Sequence, residues 1–181
     1  SIGTTNTHIE WLNKFQALAK TPLLVTMDAE WGPSQRLSDV FAHPWNMTLG
    51  AIQDDSLVRE ISKRMAEQNK ALGIHYNFSP SVDVNNNSKN PIIGNRSFGE
   101  DPNNVYLKAK AYIQGHKDAG VFTSIKHFPG HGDTDKDSHK TLPVIKGDIK
   151  RLNNVELYPF KRLIEDGIAE SIMLAHLSVP A

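Results

Sequence analysis

The sequence predicts an α/β fold in which parallel strands are wound into a (β/α) barrel, and three observations carry that reading. Short apolar runs alternate with amphipathic stretches of helical period along the whole chain, the rhythm of a parallel sheet covered by helices. The Gly-rich turn of a dinucleotide-binding sheet is missing after every candidate strand. Polar groups fall instead where strands end, at Asp28, Asp83, Lys126–His127 and His176. In a barrel such ends converge on one face, where the active site lies; an open doubly wound sheet would gather them at a single switch point. A full barrel takes eight strands and ~250 residues. With 181 residues and four clear strands, the chain is expected to be about the first half to two-thirds of a barrel, one partial domain over 1–181.

Each element has its own signal. Ile9, Leu12, Phe15 and Ala19 recur at helical spacing until Pro22 stops them, and residues 1–5 read as the tail of a further strand. The first clear strand is Leu23–Met27, ending in Asp28. After a loop rich in Trp, Pro and Gly, Asp54 or Asp55 can cap a helix striped by Val58, Ile61, Met65 and Leu72, and Gly73 suits its end. The next strand reads Ile74–Phe78 and continues towards Val82–Val84. Asp101 as N-cap and Pro102 at the first helical position open another helix, with Val105, Ala109, Tyr112 and Ile113 on its apolar face and Gly120 closing it. Val121–Ile125 runs as a strand into Lys126–His127. A last helix is expected from Asp148 to Glu165, before a strand at Ser171–His176.

Composition narrows the function classes. Lysine plus arginine equal aspartate plus glutamate at 20 each, so the broad basic field of a nucleic-acid binder is missing. No run approaches the ~18 apolar residues of a membrane helix; no secretory leader, no nucleic acid and no membrane insertion are expected. Hydrophobic residues at 39% are enough for a packed core. The absence of cysteine removes disulfides and thiol nucleophiles but leaves cytoplasm and cell envelope equally open.

The densest chemistry lies in Lys126-His127-Phe128-Pro129-Gly130-His131-Gly132-Asp133-Thr134-Asp135-Lys136-Asp137-Ser138-His139. Three histidines and three aspartates share this stretch, and Pro129, Gly130 and Gly132 keep it out of regular structure. Asp137 and His139 are close enough for a carboxylate–imidazole contact, which fixes the tautomer and stabilises the protonated ring. That is the tuning a general acid and base needs. A solvated loop without function is the plain competitor. His127, His131, Asp133 and His139 are also potential metal ligands, but they match no recognised metal spacing, and no metal is expected.

The run from Lys126 to Thr134, followed by Asp137-Ser138-His139, closely resembles the β-N-acetylglucosaminidases of glycoside hydrolase family 3. Asn95–Pro102, Asp28–Arg36, Pro159-Phe160 and Ile172–His176 agree with the same pattern in order. The resemblance implies a (β/α)8 TIM-type barrel that removes terminal N-acetylglucosamine from cell-wall-derived or chitin-type oligosaccharides with retention of configuration, without a cofactor. Under it, His139 is the acid/base and Asp137 its partner in a dyad, in place of one of the two carboxylates usual for retaining glycosidases. Asp28, Arg36, Arg96, Lys126 and His127 match positions that bind sugar hydroxyls, a task suited to charged hydrogen-bonding groups. The family's nucleophile is an aspartate on a later strand, so it is expected beyond Ala181.

The chain departs from the pattern at Glu30-Trp31-Gly32-Pro33, where many relatives carry two glycines after the acidic pair. Trp31 fits either an aromatic wall for the sugar or a plug of the barrel mouth. Asp83 reads as a ligand of loop amides before a substrate contact, and His75 as a hydrogen-bonded core histidine. His176 could line the site or not, and His8, His43 and His116 have no supporting neighbours. Core packing accounts for Trp11, Phe15 and Phe160. A family 3 β-glucosidase and a non-catalytic sugar-binding partial barrel remain the alternatives. Exposed sheet edges would favour self-association.

Overall fold

The computed structural model describes residues 3–134, 142–145 and 147–180. Parallel strands lie on one another in sequence order. β1 (Thr26–Met27) pairs with β2 (Tyr76–Asn77), which pairs with β3 (Phe122–Thr123). After Ser124 the chain continues as β4 (Ile125–Phe128), paired with β5 (Ile172–Leu174). A parallel bridge between Ser81 and Lys126 joins the continuation of the β2 segment to β4. The result is an arc of successive parallel strands with helices on its outer side. The described residues form no closed barrel.

Two helices carry the core. In α3 (Asp55–Ala71) it is Asp54, of the two candidates Asp54 and Asp55, whose side chain caps the N-terminus by accepting from Ser56 N–H. In α4 (Pro102–Ala119) Asp101 caps and Gly120 takes the left-handed conformation that closes the helix. The two pack tightly because of Gly115. A Cβ there would stand 2.3 Å from the Arg59 carbonyl oxygen of α3, so only hydrogen lets the backbones approach this closely. Val58, Met65, Val105, Ala109, Tyr112 and Ile113 then bury against Val82, Ile125 and Phe160. Phe160, expected in the core, is there.

Several expectations need correction. Thr5 opens α1 (Thr5–Leu18), and of the strand expected over residues 1–5 the described residues 3–5 show one parallel bridge, Gly3 to Leu37. No residue of α1 is buried. Trp11 and Phe15 are about half exposed at 52% and 51%: α1 meets the end of α3 through His8 and Leu12, and the two rings, on the same face, line an open groove beside Met27 and Leu37. The strand expected at 23–27 shortens to β1, and Leu23 and Leu24 stay exposed. The loop after it contains a short helix, α2 (Asn46–Gly50), that no apolar stripe announced. The helix expected from Asp148 to Glu165 is two, α5 (Ile149–Asn154) and α6 (Tyr158–Glu165). Pro159 lacks the N–H that a continuous helix would use, and it sits in the first turn of α6, where that N–H is not needed.

Candidate active site

The strand ends hold one cleft of about 520 Å³. Asp28 follows β1, Lys126 and His127 come from β4, Ala175 and His176 follow β5, and Arg96 arrives on the loop before α4. The five residues matched to sugar binding, Asp28, Arg36, Arg96, Lys126 and His127, all line it, and so do Glu30, Trp31, His131 and His176. Asp137 and His139 lie outside the described residues.

The floor is a network of opposed charges. Lys126 Nζ, almost fully buried, lies 2.8 Å from Asp28 Oδ1 and 2.8 Å from Glu30 Oε1. Arg36 reaches the other oxygen of Asp28 at 3.1 Å. Arg96 forms a fork on Glu30, with Nη2 at 2.7 Å and Nε at 3.0 Å from its oxygens, the planar match that favours arginine over lysine. Burial pushes the Glu30 carboxyl up, but the hydrogen bonds and charges of Arg96 and Lys126 outweigh it and hold the group below the usual carboxylate range. Asp28 is treated alike: burial raises it, and Lys126 with Arg36 more than compensates. Asp28 and Glu30 are therefore ionised at neutral pH, two carboxylates set against Lys126, Arg36 and Arg96.

His127 is oriented from both sides. Its Nδ1 lies 2.7 Å from Asp83 Oδ2 and its Nε2 lies 3.2 Å from Arg96 Nη2. A guanidinium only donates, so Nε2 must accept and the proton sits on Nδ1, pointing at Asp83. Asp83 also accepts from the His127 and His131 backbone N–H groups at 3.2 and 2.6 Å, and from Ser81 Oγ. The expectation that Asp83 ties down loop amides is met, and it orients an imidazole as well. Burial raises this carboxyl, but His127 and the hydrogen bonds drive it far below the ordinary value.

Other histidines fall differently from expectation. His75 is exposed rather than in the core: it stands one residue before β2, with Nδ1 accepting from Val25 N–H at 3.1 Å. His116 is fully buried and bonded to Ser62 and Asn77. His43 bonds Gln68, and His8 bonds the Leu72 carbonyl. Trp31, on the cleft wall, stacks on Trp45 with ring centroids 4.0 Å apart. Buried His131 leaves Nε2 without a partner among the described residues. Those residues contain no cluster of three metal-binding side chains.

Sequence reasoning did not assign Glu30 a role. Its signal was an acidic residue two positions beyond the strand-end Asp28, a spacing that puts both side chains on the same side of an extended segment.

Comparison with known proteins agrees with this geometry. The family model described as the glycosyl hydrolase family 3 N-terminal domain matches residues 5–181. Beta-hexosaminidase A of Pseudoalteromonas piscicida is 37% identical over 92% of this chain and 29% of its own length. A family 3 beta-N-acetylglucosaminidase from Paenibacillus superposes with a TM-score of 0.91 at 39% identity, covering 99% of this chain and 35% of that one. NagZ from Neisseria gonorrhoeae, solved in complex with N-trifluoroacetyl-D-glucosamine, superposes at 0.87 with 29% identity over 99% of this chain and 55% of that one. The chain thus spans between about a third and a half of the length of these proteins. Their superposed domains are of the TIM-barrel type, as the strand-end clustering of polar residues predicts. By its sequence and by its strand-end cleft, the chain belongs to glycosyl hydrolase family 3, in that family's N-terminal domain.

Proposed function

We propose that this chain is the N-terminal part of the catalytic barrel of a retaining exo-β-N-acetylglucosaminidase, acting on cell-wall-derived or chitin-type oligosaccharides. The observation that carries the reading is the convergence of Asp28, Arg36, Arg96, Lys126 and His127 on one cleft at the strand ends. Three cationic groups, Arg36, Arg96 and Lys126, stand against three carboxylates, Asp28, Glu30 and the Asp83 behind His127, and such groups together suit a neutral sugar. They supply strong donors and acceptors at set angles without a net field that would favour a charged ligand. Asp28 has lone pairs left for sugar hydroxyls beside its cation contacts, and Lys126 uses two of its three N–H donors on Asp28 and Glu30. The printed names of the relatives, beta-hexosaminidase and beta-N-acetylglucosaminidase, point the same way.

In this reading His139 protonates the glycosidic oxygen as the bond to the leaving group breaks, while a carboxylate from a later strand attacks the anomeric carbon. His139 then removes a proton from the water that releases the sugar, and Asp137 keeps the imidazole in the tautomer both steps need.

The experiment is a comparison of leaving groups in the enzyme that carries this chain. His139→Ala should lower turnover by ~10²–10⁴-fold on substrates whose leaving group needs a proton. The loss should shrink for a nitrophenyl glycoside, and azide should restore part of the rate. Equal losses for good and poor leaving groups, with no rescue, would remove His139 from proton transfer. Arg96→Ala should weaken N-acetylglucosamine binding by about tenfold or more, the worth of a charged hydrogen bond, as read by calorimetry.

A further inference from the structure

We propose that Glu30 is the positioning residue of the cleft: it sets Arg96 and Lys126 in the orientation that receives substrate, and a buried polar relay through Tyr112, Asn77 and His116 sets Glu30. The substrate assigned to the cleft rests on the reading above; the positioning role does not.

Glu30 is only 1% exposed. Its carboxylate takes the Arg96 fork and the Lys126 ammonium together, so it contributes by orienting two cations. Few of its atoms remain free to meet a ligand. Each of those cations would otherwise be a flexible side chain with several rotamers of comparable energy.

The backbone around Glu30 is held with equal care. Its N–H donates to Gln35 Oε1 at 2.7 Å, and its carbonyl accepts from the Tyr112 hydroxyl at 3.0 Å. One residue earlier, Asn77 reads both backbone groups of Ala29: Oδ1 accepts from the N–H at 3.0 Å and Nδ2 donates to the carbonyl at 3.0 Å. The second Nδ2 proton faces His116 Nε2 at 3.0 Å. That makes Nε2 an acceptor and puts the His116 proton on Nδ1, directed at Ser62 Oγ 2.7 Å away. Ser62 passes its own proton to the Tyr112 carbonyl at 2.6 Å. Every donor in this relay meets an acceptor, and it runs from α3 through α4 and β2 to the floor of the cleft. A buried network so fully satisfied has one low-energy arrangement, and Glu30 stands at its end.

The test uses two variants and two readouts in the enzyme that carries this chain. Glu30→Gln puts an amide donor against the donating guanidinium; Tyr112→Phe keeps the ring and deletes the hydroxyl that holds the Glu30 carbonyl. The first readout needs no substrate. The Arg96 Nε–H resonance, followed by ¹⁵N NMR, should be protected from exchange in the unaltered protein, lose protection in Glu30→Gln and lose part of it in Tyr112→Phe. The second is steady-state hydrolysis of an aryl N-acetylglucosaminide. KM should rise about tenfold or more in Glu30→Gln and less in Tyr112→Phe, with kcat kept within about threefold. Undiminished Arg96 protection in both variants would overturn the proposal. So would a fall in kcat at unchanged KM, which would place Glu30 in the chemistry itself. Should Glu30→Gln fail to fold, Tyr112→Phe alone decides by the same two criteria. If the unaltered enzyme ignores N-acetylglucosaminides while the resonance responds as expected, the substrate reading falls and the positioning role stands.

Discussion

Helices α1 and α4 read alike as sequences and end in opposite environments. Each has a stripe of apolar residues at helical spacing and a clean stop, and in the structure each has a side-chain N-cap, Thr4 for α1 and Asp101 for α4. Yet α4 buries Val105, Tyr106, Ala109, Tyr112, Ile113 and His116 among its residues, and α1 buries none. The difference lies in the surfaces available. α4 is wedged between α3 and α6 and covers the strands that build the cleft, whereas α1 touches the fold along one edge. Amphipathic spacing states which face of a helix would be buried; whether a second surface meets that face depends on residues far away in sequence. The helix that is buried is also the one that reaches the site, through Tyr112 and Glu30.

The sharpest way to break this comparison is matched truncation. Ile113→Ala in α4 removes a fully buried side chain and should cost about 2–5 kcal/mol in urea denaturation, the transfer loss plus the cavity it leaves. A smaller loss would mean that the α3–α4 core collapses around the gap.

Next in size is a pH effect that belongs to α4 alone. Burial lowers the His116 pKa from 6.5 to about 3. The unfolded chain therefore takes up a proton before the folded one does, and the stability is fully present above 6.5 and is lost progressively as pH falls towards 3. At about 1.4 kcal/mol per pH unit, roughly 3 kcal/mol should disappear between pH 6.5 and 4. His116→Gln should flatten that limb of the melting-temperature profile, and an unchanged slope would assign it to other groups.

Gly115→Ala gives a smaller but more local probe. The added methyl meets α3 backbone and the Ser62 side chain, so a net destabilisation of about 1–3 kcal/mol is expected, although alanine is the better helix former. Stabilisation by this substitution would show that the helices can separate freely. The smallest effects belong to α1, where Trp11→Ala and Phe15→Ala should each stay within about 0.5 kcal/mol. A loss as large as that of Ile113→Ala would show that these rings are covered in solution.

The legible parts of the site were the ones carried by local chemistry. Asp28, Lys126, His127 and His176 could be placed at strand ends because apolar runs stop there. Arg96 and Arg36 came from matched motifs rather than from any pattern of their own. Glu30 escaped notice because its partners lie 66 and 96 positions away, and nothing near it in sequence shows that they converge on it. His116 escaped for the same reason: its value comes from Ser62 and Asn77, on two other elements. His75 was misplaced inward because a two-residue strand leaves little alternation to read.

By itself the sequence determined the α/β rhythm, a cap at Asp54 or Asp55 and another at Asp101, the stops at Gly73 and Gly120, and the polar groups at the ends of strands. These follow from backbone dihedrals, missing donors and hydrogen bonds between residues a few positions apart. Tertiary structure alone decided that α1 stays exposed and that Glu30 rather than solvent neutralises Arg96. Those outcomes depend on which distant surfaces and charges meet. A buried ion pair or a covered helix face has its energy only once the chain has brought both halves together, and neither half carries the information separately.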